Sequence, residues 1–503
     1  MTAIVKDRPS LLWPSLVAII YGLGFVLTLE LSSTWLILIF LGTAGLAFLF
    51  CLGDPKDSLL YVFIFTSAFE FSKALIVKGG VYSSGLSLQL SDLSLLPLLF
   101  LWFFENKIVQ KRRLIWRSKL HRIAALLLAW LWFTAIISKD PLAGVLGAVV
   151  YTKFFFIFLI LSDYIKTPRQ VRRILVVLGL SLLFQVLMAC AQVATGSPLE
   201  IQGTKITTLG TRLVFEYAGG THAFRPQGFL GHPNVLADFC VFILPVFATL
   251  VLGGRRIIGR HLWWFSVIVA ILGTGVLVMT LSRGGWISFF MATVFILVLG
   301  FRFGLVSRQQ LTGFALSCFF FGIVTLSFYP SAIYRITERD QRSTDARLAM
   351  MNQALLIIEK NPIAGVGLGG YNRAAQTTIP MSWSNLGIPF QETLLKGIVH
   401  NKYLLTAAEN GLIGLMLMLA VLFIPLISVW KINDWPDPAY YVLALGLAAA
   451  IFGQIFFYLF DHFYNDVRIH YLWIYLGLLS ALARMQSGCT THAQHHPNPA
   501  GGA

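Results

Sequence analysis

Apolar runs of nearly 20 residues recur along the whole chain and constrain its fold more than any other feature. Leu12 to Leu29 and Trp263 to Leu281 are two of these runs, and neither contains a charged residue. An α-helix of about 20 residues can cross about 30 Å of hydrocarbon. The chain is 57% hydrophobic and 12% charged, with a mean hydropathy of +0.76. A water-soluble protein could not bury this much apolar surface, so we expect an all-α polytopic membrane protein.

Charged or Gly/Pro-rich breaks divide the apolar runs into about fourteen predicted transmembrane helices. The first run is predicted to be retained as a span, because no small-residue cleavage site follows it. The predicted spans are 11–29, 33–52, 58–76, 91–105, 121–138, 143–162, 170–193, 233–252, 262–281, 285–301, 311–329, 401–430, 439–461 and 469–486.

Short basic loops predict the orientation of these spans. The segment from Lys107 to Arg122 holds seven Lys and Arg residues, and the loops near 166–173, 255–260 and 302–308 are also basic. Such loops stay in the cytoplasm. With fourteen spans every basic loop falls on the same side, which predicts that both termini are cytoplasmic. The segments predicted outside are 77–90, 194–232, 282–284, 330–400 and 462–468.

The long outer loop, 330–400, is predicted to contain an amphipathic helix lying on the membrane surface. Asp345 can cap such a helix, and Asn361 followed by Pro362 ends it. Between them, four apolar residues recur at helical spacing: Leu348, Met351, Leu355 and Ile358. At the other end of the chain, the polar, Gly/Pro-rich tail at 487–503 is predicted to be disordered and cytoplasmic.

Several other functions are disfavoured by the sequence. The net charge of +16 lies mostly in short loops between spans, so it reflects membrane orientation and not nucleic-acid binding. The five cysteines are far apart, which indicates neither a disulfide framework nor a thiolate metal site. Gly365, Gly367 and Gly370 match G-x-G-x-x-G, but a predicted helix and Pro362 precede them where a dinucleotide site needs a strand. A tightly turning or flexible loop is the better interpretation.

Arginines near the outer face are candidate phosphate ligands. Arg283 lies in TLSRGGW between two spans with almost no loop, and Arg225 precedes the eighth span in FRPQGFLGHPN. Arg468 follows DHFYND at the outer end of the last hairpin. A guanidinium presents a planar fork of donors to phosphate oxygens, although each of these arginines could instead be a snorkelling or surface residue.

His400 opens VHNKYLLTAAENGLIG, where the long outer loop meets a span. An imidazole there can hydrogen-bond at the headgroup level or take a proton from a sugar hydroxyl. Nine residues at 100° each place Glu409 on the opposite helix face and about 13 Å deeper, so we assign Glu409 to packing or an intramembrane ion pair. Lys153, halfway along its span, needs a partner, for which Glu409 or Asp238 are the candidates.

Four segments in this order resemble the O-antigen ligase and polymerase family: RPQGFLGHPN, TLSRGGW, RLAMMNQALLIIEKNPIAGVGLGGYN and HNKYLLTAAENGLIGL. The resemblance covers residues 220–430 and suggests four regions. These are N-terminal helices at 1–219, a ligase-like core at 220–430 with its outer loop at 330–400, a C-terminal hairpin at 431–486, and the tail at 487–503.

The resemblance implies a metal-independent glycosyltransferase of the bacterial inner membrane, without a cofactor. Its donor would be a glycan on undecaprenyl diphosphate, and its acceptor a lipid, a glycan or a protein hydroxyl at the periplasmic face. In such enzymes outer-face arginines bind the diphosphate and a loop histidine assists the acceptor hydroxyl. These roles map to Arg225 and Arg283 for the diphosphate and to His400 and Arg283 for catalysis, with Arg468 added to the binding group by its position alone.

Two other classes of function stay open at the level of sequence. A polytopic basic protein can transport a small anion, but no two halves with interrupted helices at matching positions are visible, and the selected residues share one face. A scaffold without chemistry would leave the outer-face Arg and His residues unexplained. Whether the enzyme is a ligase or a polymerase depends on its acceptor, which the sequence does not reveal.

Overall fold

The computed structural model describes residues 54–76, 86–111, 118–199, 214–216, 222–309, 312–313, 341–386, 398–431, 435, 437–462 and 466–494. These ranges are mostly helical, as predicted, and eight of their helices are long and apolar enough to cross a membrane. The protein is therefore a multi-pass membrane protein. The predicted spans at 11–29 and 33–52, and most of that at 311–329, lie outside the described residues. The total of fourteen spans stays a prediction.

Thirteen helices and four short strands make up the described part of the chain. The helices are α1 (Pro55–Thr66), α2 (Asp92–Phe104), α3 (Lys119–Ile136), α4 (Pro141–Tyr164), α5 (Pro168–Thr195), α6 (Pro233–Ile258), α7 (Arg260–Met279), α8 (Arg283–Arg302), α9 (Gln341–Lys360), α10 (Tyr371–Leu386), α11 (Lys402–Trp430), α12 (Pro438–Phe457) and α13 (Asp466–Gln494). The strands β1 (Ser72–Ile76) with β2 (Leu86–Gln89), and β3 (Val214–Glu216) with β4 (His222–Phe224), form two antiparallel hairpins. A π-helical turn, Glu105–Val109, extends α2.

Many of the spans begin with the same local signal, a capping side chain followed by proline. Thr167 caps α5 with a complete capping box to Gln170, and Asp140 and Asp437 cap α4 and α12 in the same way but without the box. Proline suits the first helical turn because its missing N–H would have no intrahelical partner there. These signals fix where a span begins to within a residue or two.

Helix α6 lies at the centre of the bundle. It packs against α7, α8, α12 and α13, and most of its side chains from Val235 to Leu250 are buried. The buried series includes one carboxylate, that of Asp238. A buried ionisable group inside a helical bundle needs a partner, and α13 supplies it in the site described below.

Parts of the sequence-based prediction are wrong. The span predicted at 58–76 is the short helix α1, which ends at Thr66 and is followed by a turn and strand β1. Twelve residues rise only about 18 Å, less than a bilayer core. The two short hairpins were not predicted, although the fold as a whole is mostly helical. Helix α13 continues to Gln494, eight residues into the tail predicted to be disordered.

The predicted helix in the long loop is present as α9, and it begins four residues before Asp345. Its buried face consists of Ala346, Met350, Ala354 and Ile357, which pack towards α10 and α11. The predicted apolar stripe lies on the other side, since Leu348, Met351 and Leu355 are exposed. An exposed apolar stripe is typical of a helix lying on a membrane surface, which stays a prediction here.

Helix α11 is interrupted at Gly411, and a glycine-rich loop fills the break. Gly411 has φ +66° and ψ −176°, so the helical hydrogen bonds stop there. The loop 361–370 provides the missing partners. The N–H groups of Val366 and Gly367 donate to the carbonyl oxygens of Ala408 and Glu409 at 2.9 and 2.8 Å. The N–H of Leu412 in turn donates to Pro362 O at 2.8 Å.

This arrangement explains the glycine motif that resembled a dinucleotide fingerprint. Gly365 and Gly367 have φ of +70° and +90°, and a Cβ at Gly365 would overlap the carbonyl group of Glu409. Of the two predicted forms, a flexible or a tightly turning loop, the structure shows the tight turn. Backbone groups freed inside a membrane must be satisfied by protein, so the loop and the break in α11 depend on each other.

The basic loops gather at one end of the bundle. Arg169 and Arg173 lie at the start of α5, Arg255 and Arg256 at the end of α6, and Arg302 at the end of α8. The opposite ends of the same helices lie near the Arg225 loop, because Gln192 near the end of α5 donates to Gly228 O at 3.0 Å. The structure therefore separates a basic end from the end that carries the candidate site.

We predict that Gly365→Ala destabilises the protein by at least about 2 kcal/mol, because the methyl group meets backbone atoms and the residue must keep a left-handed conformation. Gly275→Ala is the matched control, since nothing lies within 4 Å of a Cβ built there. The measurement is the thermal midpoint of each purified variant in detergent. Equal midpoints for the two variants would contradict the interlocked loop and helix break.

Candidate functional site

His400 is held where three chain segments meet. Asn401 caps α11, and its Oδ1 accepts the N–H of Leu404 at 3.0 Å. The N–H of Lys402 donates to Tyr458 O at 2.8 Å, which fixes the start of α11 against the end of α12. His400 precedes this junction and is 31% exposed. The imidazole is therefore placed by backbone contacts and still accessible from one side.

Asp461, just after α12, is the carboxylate that contacts His400. Its Oδ1 lies 3.7 Å from Nδ1 of His400 and 3.7 Å from Nδ1 of His462. The same Oδ1 accepts the backbone N–H of His462 at 2.7 Å. The two imidazole rings are 4.9 Å apart between centroids, with 35° between their planes. One carboxylate thus orients a pair of histidines.

Arg468, in the first turn of α13, holds the other side of that carboxylate. Its Nη1 donates to Asp461 Oδ2 at 2.7 Å, and its Nε lies 3.8 Å from Asp238 Oδ2. Glu70 also acts on this guanidinium electrostatically. The Arg468 side chain is 5% exposed, so its charge is stabilised by these carboxylates and hardly by water.

Arg225 is buried and connects the end of α7 to the start of α6. Its Nε donates to Thr280 O at 2.6 Å, and its Nη2 donates to Asn234 Oδ1 at 3.0 Å. Asn234 lies one turn before Asp238 on α6. Contacts therefore run without a gap from Arg225 through α6 to Arg468, Asp461 and His400.

Arg283 is the first residue of α8 and is exposed. Ser282 caps the helix, and the preceding Leu281 is buried with φ +51°, an uncommon conformation for a residue with a side chain. A Cβ at Gly284 would lie 3.1 Å from Cβ of Phe460, the neighbour of Asp461. The tight turn thus presents Arg283 close to the Asp461 segment, and a strained turn at such a place is typical of a functional site.

The electrostatics of the site favour a charged Asp461 and a neutral His462. Burial opposes ionisation of Asp461, but Arg468 and the two imidazoles outweigh it and hold the pKa of that carboxyl well below its ordinary value. Burial lowers the pKa of His462 to about 4, against the attraction of Asp461. At neutral pH the site therefore holds an ion pair, Asp461 with Arg468, beside a neutral imidazole.

All four residues selected from the sequence lie at the same end of the bundle: Arg225, Arg283, His400 and Arg468. Sequence reasoning missed Asp461, His462 and the role of Asp238. The only signal was that DHFYND follows a predicted span on the same side as His400. Lys153 pairs with Asp92, a partner that was not among the predicted ones: its Nζ lies 3.3 Å from Asp92 Oδ1, and the candidate Asp238 faces Arg468 instead.

A polar cavity of about 390 Å³ lies at the other end of the bundle. Charged residues of both signs line it, among them Asp57, Glu105, Lys56 and Arg173. Helix α5 begins at this cavity and ends near the Arg225 loop, and its 28 residues rise about 42 Å. The cavity and the His400 site are therefore separate.

Residues 268–419 match the family model described as O-antigen ligase. The predicted family resemblance is thus confirmed, over a shorter range than 220–430. Arg283 and His400 lie within the matched range, whereas Arg225, Asp461 and Arg468 lie outside it. No curated protein matches the chain.

We predict that Arg468→Met destabilises the protein by about 3 to 5 kcal/mol, because it leaves the buried carboxylates of Asp461 and Asp238 without their cation. Arg283→Met is the control: its exposed position predicts a change within about 0.5 kcal/mol. Thermal unfolding of both variants in detergent measures the difference. A midpoint for Arg468→Met equal to that of Arg283→Met would show that the buried ion pair is not needed for stability.

Proposed function

We propose that this chain, with its O-antigen ligase domain, is an inner-membrane glycosyltransferase that moves a glycan from undecaprenyl diphosphate to an acceptor hydroxyl at the periplasmic face. The family match supports glycan transfer in polysaccharide biosynthesis. The observation that supports a catalytic site is the contact between His400 and Asp461, at the end of the bundle opposite the basic loops. Basic loops stay in the cytoplasm, so this site would face the periplasm.

In this proposal His400 is the general base and Asp461 is its positioning residue. Asp461 lies on the Nδ1 side of the imidazole at 3.7 Å and would accept a hydrogen bond from Nδ1–H as the pair closes on the substrate. Nε2 is then left with a lone pair for the acceptor hydroxyl. His400 is exposed on one side, which gives an acceptor access. Catalytic hydrogen bonds are often long before substrate binds, so 3.7 Å is compatible with this role.

The arginines would hold the donor diphosphate. As the acceptor oxygen bonds to the anomeric carbon, the bond from that carbon to the diphosphate oxygen breaks, and the proton of the hydroxyl passes to His400. Negative charge then grows on the diphosphate. Arg283, exposed at the start of α8, is placed to stabilise this charge, and Arg225, bonded to Thr280 and Asn234, would support it from the adjoining segment.

Arg468 stays in the proposed binding group, but its main proposed role is to position Asp461. Its contacts with Asp461 and Asp238 support a positioning role, in which it keeps Asp461 charged and aimed at His400. A contact between Arg468 and the donor diphosphate stays a prediction. The proposed acceptor is a second lipid-linked glycan, a lipid core or a protein hydroxyl, and the proposed catalytic core spans 220–430 with helices before and after it.

We expect Arg283→Lys to remain folded in the membrane and to lose transfer activity, because a point charge does not reproduce the bidentate hold of a guanidinium on a diphosphate. The assay follows transfer from a lipid-linked glycan by the purified variant. Transfer at the wild-type rate would show that Arg283 is only a membrane-interface residue.

We expect His400→Ala to reduce transfer by about 10² to 10⁴, the usual contribution of general-base catalysis, while donor binding and thermal stability change little. Glu409→Gln, in the helix that follows His400, is the control, because Glu409 is buried beside the break at Gly411 and should act through stability alone. Transfer by His400→Ala within about threefold of wild type would make the general-base assignment wrong.

A further inference from the structure

His400, Asp461 and His462 together have the composition and spacing of a metal site. Each offers one ligand atom, and the three ligand atoms all lie within 4.8 Å of one another. Asp461 Oδ1 is 3.7 Å from Nδ1 of each histidine. The two imidazoles come from separate segments, before α11 and after α12, and the backbone contact between Lys402 and Tyr458 holds those segments together.

These distances are close to what a tetrahedral ion requires. Zn²⁺ binds imidazole nitrogen at about 2.0–2.1 Å and carboxylate oxygen at about 2.0–2.2 Å, which puts neighbouring ligand atoms roughly 3.4 Å apart. A closure of a few tenths of an ångström brings the Asp461 oxygen and each nitrogen to that separation. The two nitrogens, which lie within 4.8 Å of each other, would have to move together by up to about 1.4 Å. His400 is partly exposed, so a fourth position stays open for water and an ion has a path to the site.

The surroundings also suit a metal ligand set. Arg468 donates to Oδ2 of Asp461 and leaves Oδ1 turned towards the histidines, as outer-shell partners of metal-binding carboxylates do. The positive charges nearby, Arg468 and Lys402, are opposed by the carboxylates of Asp461, Asp238 and Glu70. Two imidazoles and one carboxylate favour Zn²⁺ and similar transition metals over Mg²⁺, which prefers oxygen ligands.

We propose that His400, Asp461 and His462 form a binding site for a divalent transition-metal ion of the Zn²⁺ type, and that the bound ion switches transfer off. A metal bound at Nδ1 of His400 requires the neutral ring to carry its proton on Nε2. Nε2 then has no lone pair to accept the proton of an acceptor hydroxyl. The site itself stands on geometry alone, whereas the switch rests on the proposed function.

The binding experiment uses the full chain in detergent, with His492, His495 and His496 of the tail replaced by Ser so that they do not bind metal. Zn²⁺ is titrated by calorimetry, and Co²⁺ by the visible absorption of a tetrahedral complex. We expect one ion per chain. His462→Gln should weaken binding by at least about 100-fold, since even outer-shell changes cost 10- to 100-fold. The exposed His261 at the basic end provides the control His261→Gln, which should change binding less than about threefold.

A cysteine variant separates ligation from a merely structural role. His462→Cys supplies a thiolate, another good ligand of Zn²⁺, and should restore much of the affinity that His462→Gln loses. The thermal midpoint of each variant without metal is measured alongside. Absence of a Co²⁺ spectrum in the parent chain, or equal affinities for the parent and His462→Gln, would overturn the site.

The transfer assay tests the switch. Zn²⁺ at saturation should reduce transfer by the parent chain at least about tenfold, a chelator should restore it, and Mg²⁺ should have no effect. The rate of His462→Gln without metal serves as its own baseline, and saturating Zn²⁺ should change that rate by less than about threefold. Stoichiometric binding without inhibition would overturn the switch. If the parent chain shows no transfer under any condition, the proposed function and the switch that rests on it fail, and the binding data decide the site alone.

Discussion

A carboxylate and a guanidinium buried together, Asp461 and Arg468, organise the candidate site. Either charge alone would be costly away from water, and a pair is stable only when its remaining hydrogen-bond capacity is also satisfied. The backbone N–H of His462 meets part of that requirement, and Asp238 on α6 adds a second carboxylate 3.8 Å from Arg468 Nε. The pair therefore joins the central helix of the bundle to the loop after α12 and the start of α13. His400 reaches its position at this junction, and its orientation depends on the same carboxylate.

A second constraint acts on the backbone. Helix α11 is broken at Gly411, and backbone groups freed inside a membrane have no water to bond with. The loop 361–370 bonds to both sides of the break, and Trp130 Nε1 donates to the carbonyl of Asn410 at 2.8 Å. The loop is also tied to the turn between α3 and α4, where Ser138 Oγ donates to Leu368 O at 2.9 Å. These bonds fix α9, which leads into the loop, relative to the bundle and to the first half of α11, which begins just after His400.

Much of the helical bundle was predictable because long apolar runs and capping prolines are local signals. The run from Thr167 to Gly196, for example, begins with a capping box and ends at a left-handed glycine, and the predicted span falls inside it. The break in α11 was not predicted, since apolar composition continues through Gly411 and hydropathy does not register backbone conformation. The length of α1 was overestimated for a related reason: the apolar run continues beyond the helix into a turn and a strand.

The candidate site was predictable only in part. Arg283 and His400 stand in recognisable segments beside predicted spans. The spacing argument that set Glu409 apart from His400 assumed one continuous helix, whereas α11 begins at Lys402 after an extended Asn401. The actual partner, Asp461, lies far along the chain, and only the packing of α11 against α12 brings the two together. The role of Asp238 was missed for the same reason, because its partner Arg468 belongs to a helix distant in sequence. Pairs of residues this far apart in sequence produce no periodic pattern from which their contact could be predicted.

The most direct test of the central claim is an experimental structure of the protein with an undecaprenyl diphosphate-linked glycan bound. The account predicts the diphosphate within hydrogen-bond distance of Arg283, at the end of the bundle that carries Asp461, with Nε2 of His400 facing the anomeric carbon from the side opposite the leaving oxygen. Density for the diphosphate in the polar cavity at the basic end, beside Lys56 and Arg173, would contradict the account.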